Sequence, residues 1–216
     1  MAITVSHIIG RAGVILHDTT QVRWPDVELL GWLNDAQREL VLLRPDASVV
    51  SEPLALVQGT KQELPDLGIR IIDIIRNTNG GAVRVIDRNV LDAQQPDWHT
   101  TPESDKVEHY MFDLRDPKNF YVYPAQPAAP GQVDIVYSAS PADAVQDGDI
   151  TLDDIYANAI LDYILYRAYS KDADFAGNAQ RALKHHEAFV TSLGLKFQVD
   201  KLVDPNMQDA PVPAQP

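Results

Sequence analysis

The chain has 216 residues, 45% of them hydrophobic, which is apolar mass enough for one or two folded domains and excludes global disorder. Eighteen basic residues against 31 acidic ones leave a formal charge of −13, the reverse of the basic footprint of a general nucleic-acid binder. There is no cysteine, so a disulfide scaffold, thiolate metal sites and a cysteine nucleophile are excluded.

The charge is uneven. Residues 92–150 hold eleven acids and three bases, while residues 1–91 are nearly balanced. A solvated surface explains such a run. The sharper reading is a surface that repels a polyanion. Ser6, His7 and Gly10 interrupt the opening apolar residues, which argues against a secretory signal. No window approaches the roughly 20 apolar residues of a membrane span. A soluble, unprocessed chain without a membrane partner is expected.

Val5, Ile8, Ile9, Ala12, Ile15 and Leu16 recur at helical spacing behind a Thr4 cap. A second helix opens at Trp24-Pro25-Asp26, with proline at the first helical position. It buries Leu29, Leu30, Leu33, Ala36, Gln37 and Leu40, and Pro45 ends it. From Ser48 to Ser140 the period changes to that of strands. Val49-Val50, Leu54–Val57, Ile69–Ile75 and Val83–Ile86 are strands, with turn signals at Gly59-Thr60 and Asn79-Gly80-Gly81. Asp87 caps a short helix, Arg88 to Gln94. Val107–Leu114 and Asn119–Tyr123 form a hairpin around Asp116-Pro117-Lys118-Asn119, and Gln132–Ser138 is the last strand. The short links favour antiparallel pairing.

Thr151 is expected to cap a long helix, with Asp154 completing a capping box. That helix is apolar on most sides, so it is central to its domain or faces another subunit. The last helix starts at Asp174, with a stripe of Phe175, Ala179, Ala182, Leu183, His186, Val190, Leu193 and Phe197 that Gly194 interrupts. The expected fold class is α+β: N- and C-terminal helices form a four-helix bundle with an inserted antiparallel β-rich module. Residues 1–47 and 141–203 make the bundle, 48–140 the module, and 204–216 a flexible proline-rich tail.

Signs of chemistry are sparse. No phosphate-binding glycine loop or nucleophile elbow is present. His185 and His186 point about 100° apart on a helix and cannot chelate one ion together, and His186 suits a hydrogen-bonded core position. Asp143, Asp147, Asp149, Asp153 and Asp154 match only a fragment of a calcium loop, and a turn plus a helix cap explains them. Asp18 and Asp35 are a loop acid and a helix-surface acid. No catalytic residue, metal or cofactor is expected. Trp24, Trp32, Trp98 and the tyrosines at 156, 163, 166 and 169 suit core packing or interface anchoring.

Several runs together resemble the tailed-phage head-to-tail adaptor family, also called connector or head completion proteins. They are Leu16-His17-Asp18, Arg23-Trp24, Glu28-Leu29-Leu30 with Trp32-Leu33-Asn34-Asp35-Ala36-Gln37 and Glu39, and Arg44-Pro45-Asp46-Ala47. Asp87-Arg88 to Trp98-His99, Asp154–Ala159 and Tyr163–Asp172 continue the likeness, as do Ala179, Arg181-Ala182 and Phe189. The resemblance implies a structural virion protein without catalytic residues, in a ring commonly of twelve copies beneath the portal. It implies a portal partner, a tail partner (nozzle or tail-tube protein), and genome DNA that passes through without specific binding. The place would be the virion neck, after assembly in the host cytoplasm.

Under that reading Tyr156, Tyr163, Tyr166, Arg167, Tyr169, Lys201, Leu202 and Val203 are candidate subunit or portal contacts. Asp97, Glu103, Asp105, Glu108, Asp113 and Asp116 are candidates for an acidic lumen or a tail-facing surface. The competing readings are a tail-completion or tail-tube protein, a small acidic hydrolase, and a helical interaction module that forms no ring.

Overall fold

The computed structural model describes residues 3–175 and 177–203, with helix side chains placed as far as Leu195. The expected tail, residues 204–216, lies outside the described residues. In chain order the elements are α1 (Val5–Ile15), α2 (Asp26–Leu43), β1 (Val49–Ala55), β2 (Gly59–Glu63), β3 (Gly68–Asn77), β4 (Arg84–Val85), α3 (Arg88–Gln94), β5 (His109–Phe112), β6 (Asn119–Gln126), β7 (Gln132–Ala139), α4 (Ala157–Lys171) and α5 (Asn178–Val203). Contacts divide the chain into a helical unit, residues 1–44 with 141–216, and a β unit, residues 45–140. No helix among the described residues is long and apolar enough to cross a membrane.

In the helical unit the Thr4 hydroxyl accepts the His7 amide and caps α1. Pro25 precedes α2 as its cap residue, one position before the place expected. The expected four-helix bundle does not form; α+β holds, as five helices and two sheets among the described residues. The helix α4 is a hub that packs against α1, α2 and α5, and it buries Ile160, Tyr163, Ile164, Leu165 and Ala168 on several sides. The helix α5 packs chiefly on α4, along the narrow line Ala182, Phe189 and Leu193. Phe175, Ala179, Leu183, His186 and Val190 of the expected stripe are exposed, and Phe197 lies beyond the described side chains. A helix that buries so narrow a line serves one neighbour, whereas a bundle helix must face two. Gly194 leaves α5 unbroken.

The start of α4 also departs from expectation. Thr151 does not cap it. Asp153 caps a single 3₁₀ turn by accepting the Ile155 amide, α4 begins at Ala157, and the Asp154 carboxylate accepts the Ile3 amide.

In the β unit two sheets share one core. The first has the order β1-β7-β3 and the second β2-β6-β5-β4. Pairing is antiparallel except for β4, which runs parallel to β5 over two residues. Pro53 sits on the edge strand β1, where its missing donor is tolerated. Alternate residues of β6 serve two cores. Phe120 and Val122 join Ile71, Ile74, Ile135 and Tyr137 between the sheets. Tyr121 and Tyr123 face a second cluster of Leu91 from α3, Trp98 from the 3₁₀ turn Trp98–Thr100 and Met111 from β5. At Gly131 a Cβ would lie 1.9 Å from the Asp105 carbonyl oxygen, so only glycine permits that approach.

Candidate functional site

The helical unit holds a buried amide pair on α2, Asn34 and Gln37. Gln37 is 1% exposed, and its Oε1 accepts from the Thr151 amide (2.8 Å), the Thr151 hydroxyl (2.7 Å) and the Leu152 amide (3.3 Å). Its Nε2 donates to Asn34 Oδ1, which also accepts the Ala144 amide, while Asn34 Nδ2 donates to the Ala144 carbonyl. The pair supplies buried main-chain groups of residues 144–152 with partners they would otherwise lack. The Asn34-Asp35-Ala36-Gln37 run thus has a structural role. Asp35 faces outward and pairs with Arg38, with Arg167 at 3.8 Å. Asp18 accepts the amides of Val22, Arg23 and Trp24, and these bonds, Trp24's foremost, hold its carboxyl below the usual range.

Of the candidate contact residues, Tyr156, Tyr163 and Tyr169 are buried inside the unit. The Tyr169 ring stacks on His185, whose Nδ1 lies 2.9 Å from Asp162 Oδ1, and Arg181 lies over its face. Tyr166 and Arg167 remain half-buried; the Tyr166 ring lies 4.9 Å from that of His186. His186 is therefore a surface residue, not a core one, because it falls beside the line that α5 buries. Lys201, Leu202 and Val203 belong to the backbone of α5, beyond the described side chains.

Of the candidate acids, Asp97, Glu103, Asp105, Glu108 and Asp116 are exposed, and Asp113 is half-buried. The Arg115 side chain clasps Asp113 and, with the Arg115 amide, holds its carboxyl at about 2. Asp116 accepts from Asn119 Nδ2 at 2.8 Å. The acidic segment also spans two bodies. Residues 92–140 lie in the β unit, while Asp143, Asp147 and Asp149 lie in the helical unit, where Arg38 pairs with Asp143. Sequence distance alone had merged them.

No group of three or more histidine, aspartate or glutamate side chains is placed to hold a metal ion among the described residues. A cleft of about 530 Å³ opens between the start of α3 and the end of β5, lined by Val85, Arg88, Phe112, Leu114 and Arg115. Sequence reasoning missed the outer face of α1, where Ser6, His7, Gly10, Arg11, Val14 and Ile15 line a shallow groove of about 660 Å³. Val14 is 62% exposed there. Gly10 and Val14 fall off the expected buried stripe, so for them the signal was in the sequence, whereas Ile15, expected on that stripe, is exposed.

A family model described as SU10 adaptor protein matches residues 3–212. No curated protein matches the chain.

Proposed function

The chain belongs to the SU10 adaptor protein family, and from that premise we propose that it forms a ring, commonly of twelve copies, beneath the portal and around the path of the genome. The family is one of phage structural adaptors, generally non-enzymatic, which are virion components at the capsid–tail junction associated with portal and tail. The observation that carries the reading is the span of the match, which takes in nearly the whole chain.

In this reading the helical unit and the β unit are separate working parts, with the β unit turned toward the tail and a tail-tube or nozzle protein. Tyr166 and Arg167, which retain exposed surface, meet the portal or a neighbouring copy together with Lys201, Leu202 and Val203. Asp97, Glu103, Asp105 and Glu108 face the conduit. Carboxylates there give DNA phosphates no cation to displace counterions, so the genome slides without sticking. Assembly takes place in the host cytoplasm.

The test is to mix the purified chain with its cognate portal and image the product by electron microscopy. A ring of added density beneath the portal is the expected result. A bare portal would overturn portal binding, and a ring with residues 97–108 on its outer wall would overturn the acidic conduit.

A further inference from the structure

Two surfaces of the helical unit have a property that its own packing does not explain. On α1, Gly10 sits in mid-helix, where glycine is among the least favourable residues. A Cβ at Gly10 would meet nothing within 4 Å, so the chain's own fold does not require a glycine there. Gly10, Val14 and Ile15 form an open apolar notch beside Arg11. The Arg11 guanidinium donates to the neutral Asn158 carbonyl oxygen, and no carboxylate among the described residues pairs with it.

The second surface is on α5. Leu183 is 63% exposed and Val190 45% exposed, seven residues apart on one line. Glu187 stands between them, one turn from each, exposed and without a cationic partner among the described residues. One surface is an apolar notch with an unmatched cation, and the other an apolar ridge with an unmatched anion.

We propose that the ridge Leu183–Glu187–Val190 of one copy docks into the notch Gly10–Arg11–Val14 of a second copy. Leu183 and Val190 pack over the notch, where the missing side chain of Gly10 admits close approach, and Glu187 pairs with Arg11 across the contact. Notch and ridge are different surfaces, so the contact is heterologous, the kind that repeats from copy to copy and closes into a ring. The inference rests on the ring reading and names its contact.

The absence of cysteine makes the test clean. A chain carrying both Val14→Cys and Val190→Cys, assembled on the portal and oxidised, should give a ladder of cross-linked multimers. Either single substitution should give none. Arg11→Glu or Glu187→Arg alone should lower the cross-linked yield about 2- to 5-fold, the effect of one rim ion pair, and the two together should restore it. Gly10→Leu should abolish the ladder while leaving the thermal midpoint of the free chain unchanged or higher, which a purely structural glycine would not do. Dimers from a single-cysteine chain would overturn the pairing in favour of a two-fold contact. A ring seen by electron microscopy without a ladder and without charge-swap rescue would overturn the pairing and leave the ring standing. No ring at all would overturn both.

Discussion

The two units hold their connections by the same device and place their charges differently. In each, buried amides secure a loop. Asn34 and Gln37 do this in the helical unit; Gln62, Asn77 and Gln126 do it in the β unit. Beside the local Arg38–Asp35 pair, ion pairs of the helical unit join distant elements, Arg23 with Asp172, Lys171 with Glu28 and Arg38 with Asp143, and the His185 ring contacts Asp162. In the β unit the pairs are local, as with Arg115–Asp113 and Arg88–Asp92, or bridge neighbouring strands, as with Arg76–Asp134. Two longer-range polar contacts there are tyrosines on carboxylates, Tyr110 on Asp73 and Tyr137 on Glu52. Charge in the helical unit orients helices. In the β unit an exposed acid is ordinary.

The largest expected effect breaks one unit and spares the other. Phe189 is fully buried, with its ring 5.3 Å from that of Tyr163, and it lies at the centre of the one line by which α5 holds α4. Phe189→Ala should destabilise the helical unit by about 3–5 kcal/mol. Trp24 and Trp32 report on that unit and Trp98 on the other. In a Trp98→Phe background the fluorescence transition should move to much lower denaturant. In a chain whose only tryptophan is Trp98 it should move little. Equal movement of both would mean that the units unfold as one.

A smaller effect tests the shared device. Gln37→Leu keeps the volume but leaves the buried Leu152 amide and the part-buried Thr151 amide and hydroxyl without their acceptor. A loss of about 1–3 kcal/mol is expected, read as a lowered denaturation midpoint with an unchanged slope. A near-neutral result would mean that water or another group takes over the acceptor role.

These residues also mark what the sequence made legible. The apolar period of α1, α2 and α4 was plain, and Asn119–Tyr123 read as a strand, though which of its faces met which core, Phe120 and Val122 or Tyr121 and Tyr123, came only from the fold. Period 2 leaves a strand residue only two faces. On α5 the same kind of reasoning failed in detail. A hydrophobic stripe says which side is apolar, not how many neighbours exist to cover it, so Leu183, His186 and Val190 were assigned to a core that ends beside them. Thr151 has the composition of a cap, yet its hydroxyl is committed to Gln37, a partner 114 positions away. The strand β2 was hidden because Gly59-Thr60 signals a turn, and its pairing with β6 is set by tertiary contacts. The tyrosines at 163 and 169 have the chemistry of an interface and of a core alike, and burial by α5 decides between them.

The smallest effect separates the units by pH. Burial and then the hydrogen bond to Glu52 push the Tyr137 hydroxyl up to about 12, and burial with Asp73 raises Tyr110 as well. Each phenol titrates near 10 in the unfolded chain. A group whose folded value is raised contributes stability that is fully present below its unfolded value and is lost as pH climbs toward the folded one. The β unit should therefore weaken from pH 10 to about 12, while the orienting pairs of the helical unit, Arg23–Asp172, Arg38–Asp143 and Lys171–Glu28, use arginine and lysine rather than tyrosine. Tyr137→Phe lowers stability at neutral pH by about 1 kcal/mol, one hydrogen bond, because the exposed side of Glu52 regains water. It should also flatten the alkaline slope of the Trp98 signal. A slope left unchanged would place the alkaline sensitivity in Tyr110 and its bond to Asp73, and Tyr110→Phe would then flatten it instead.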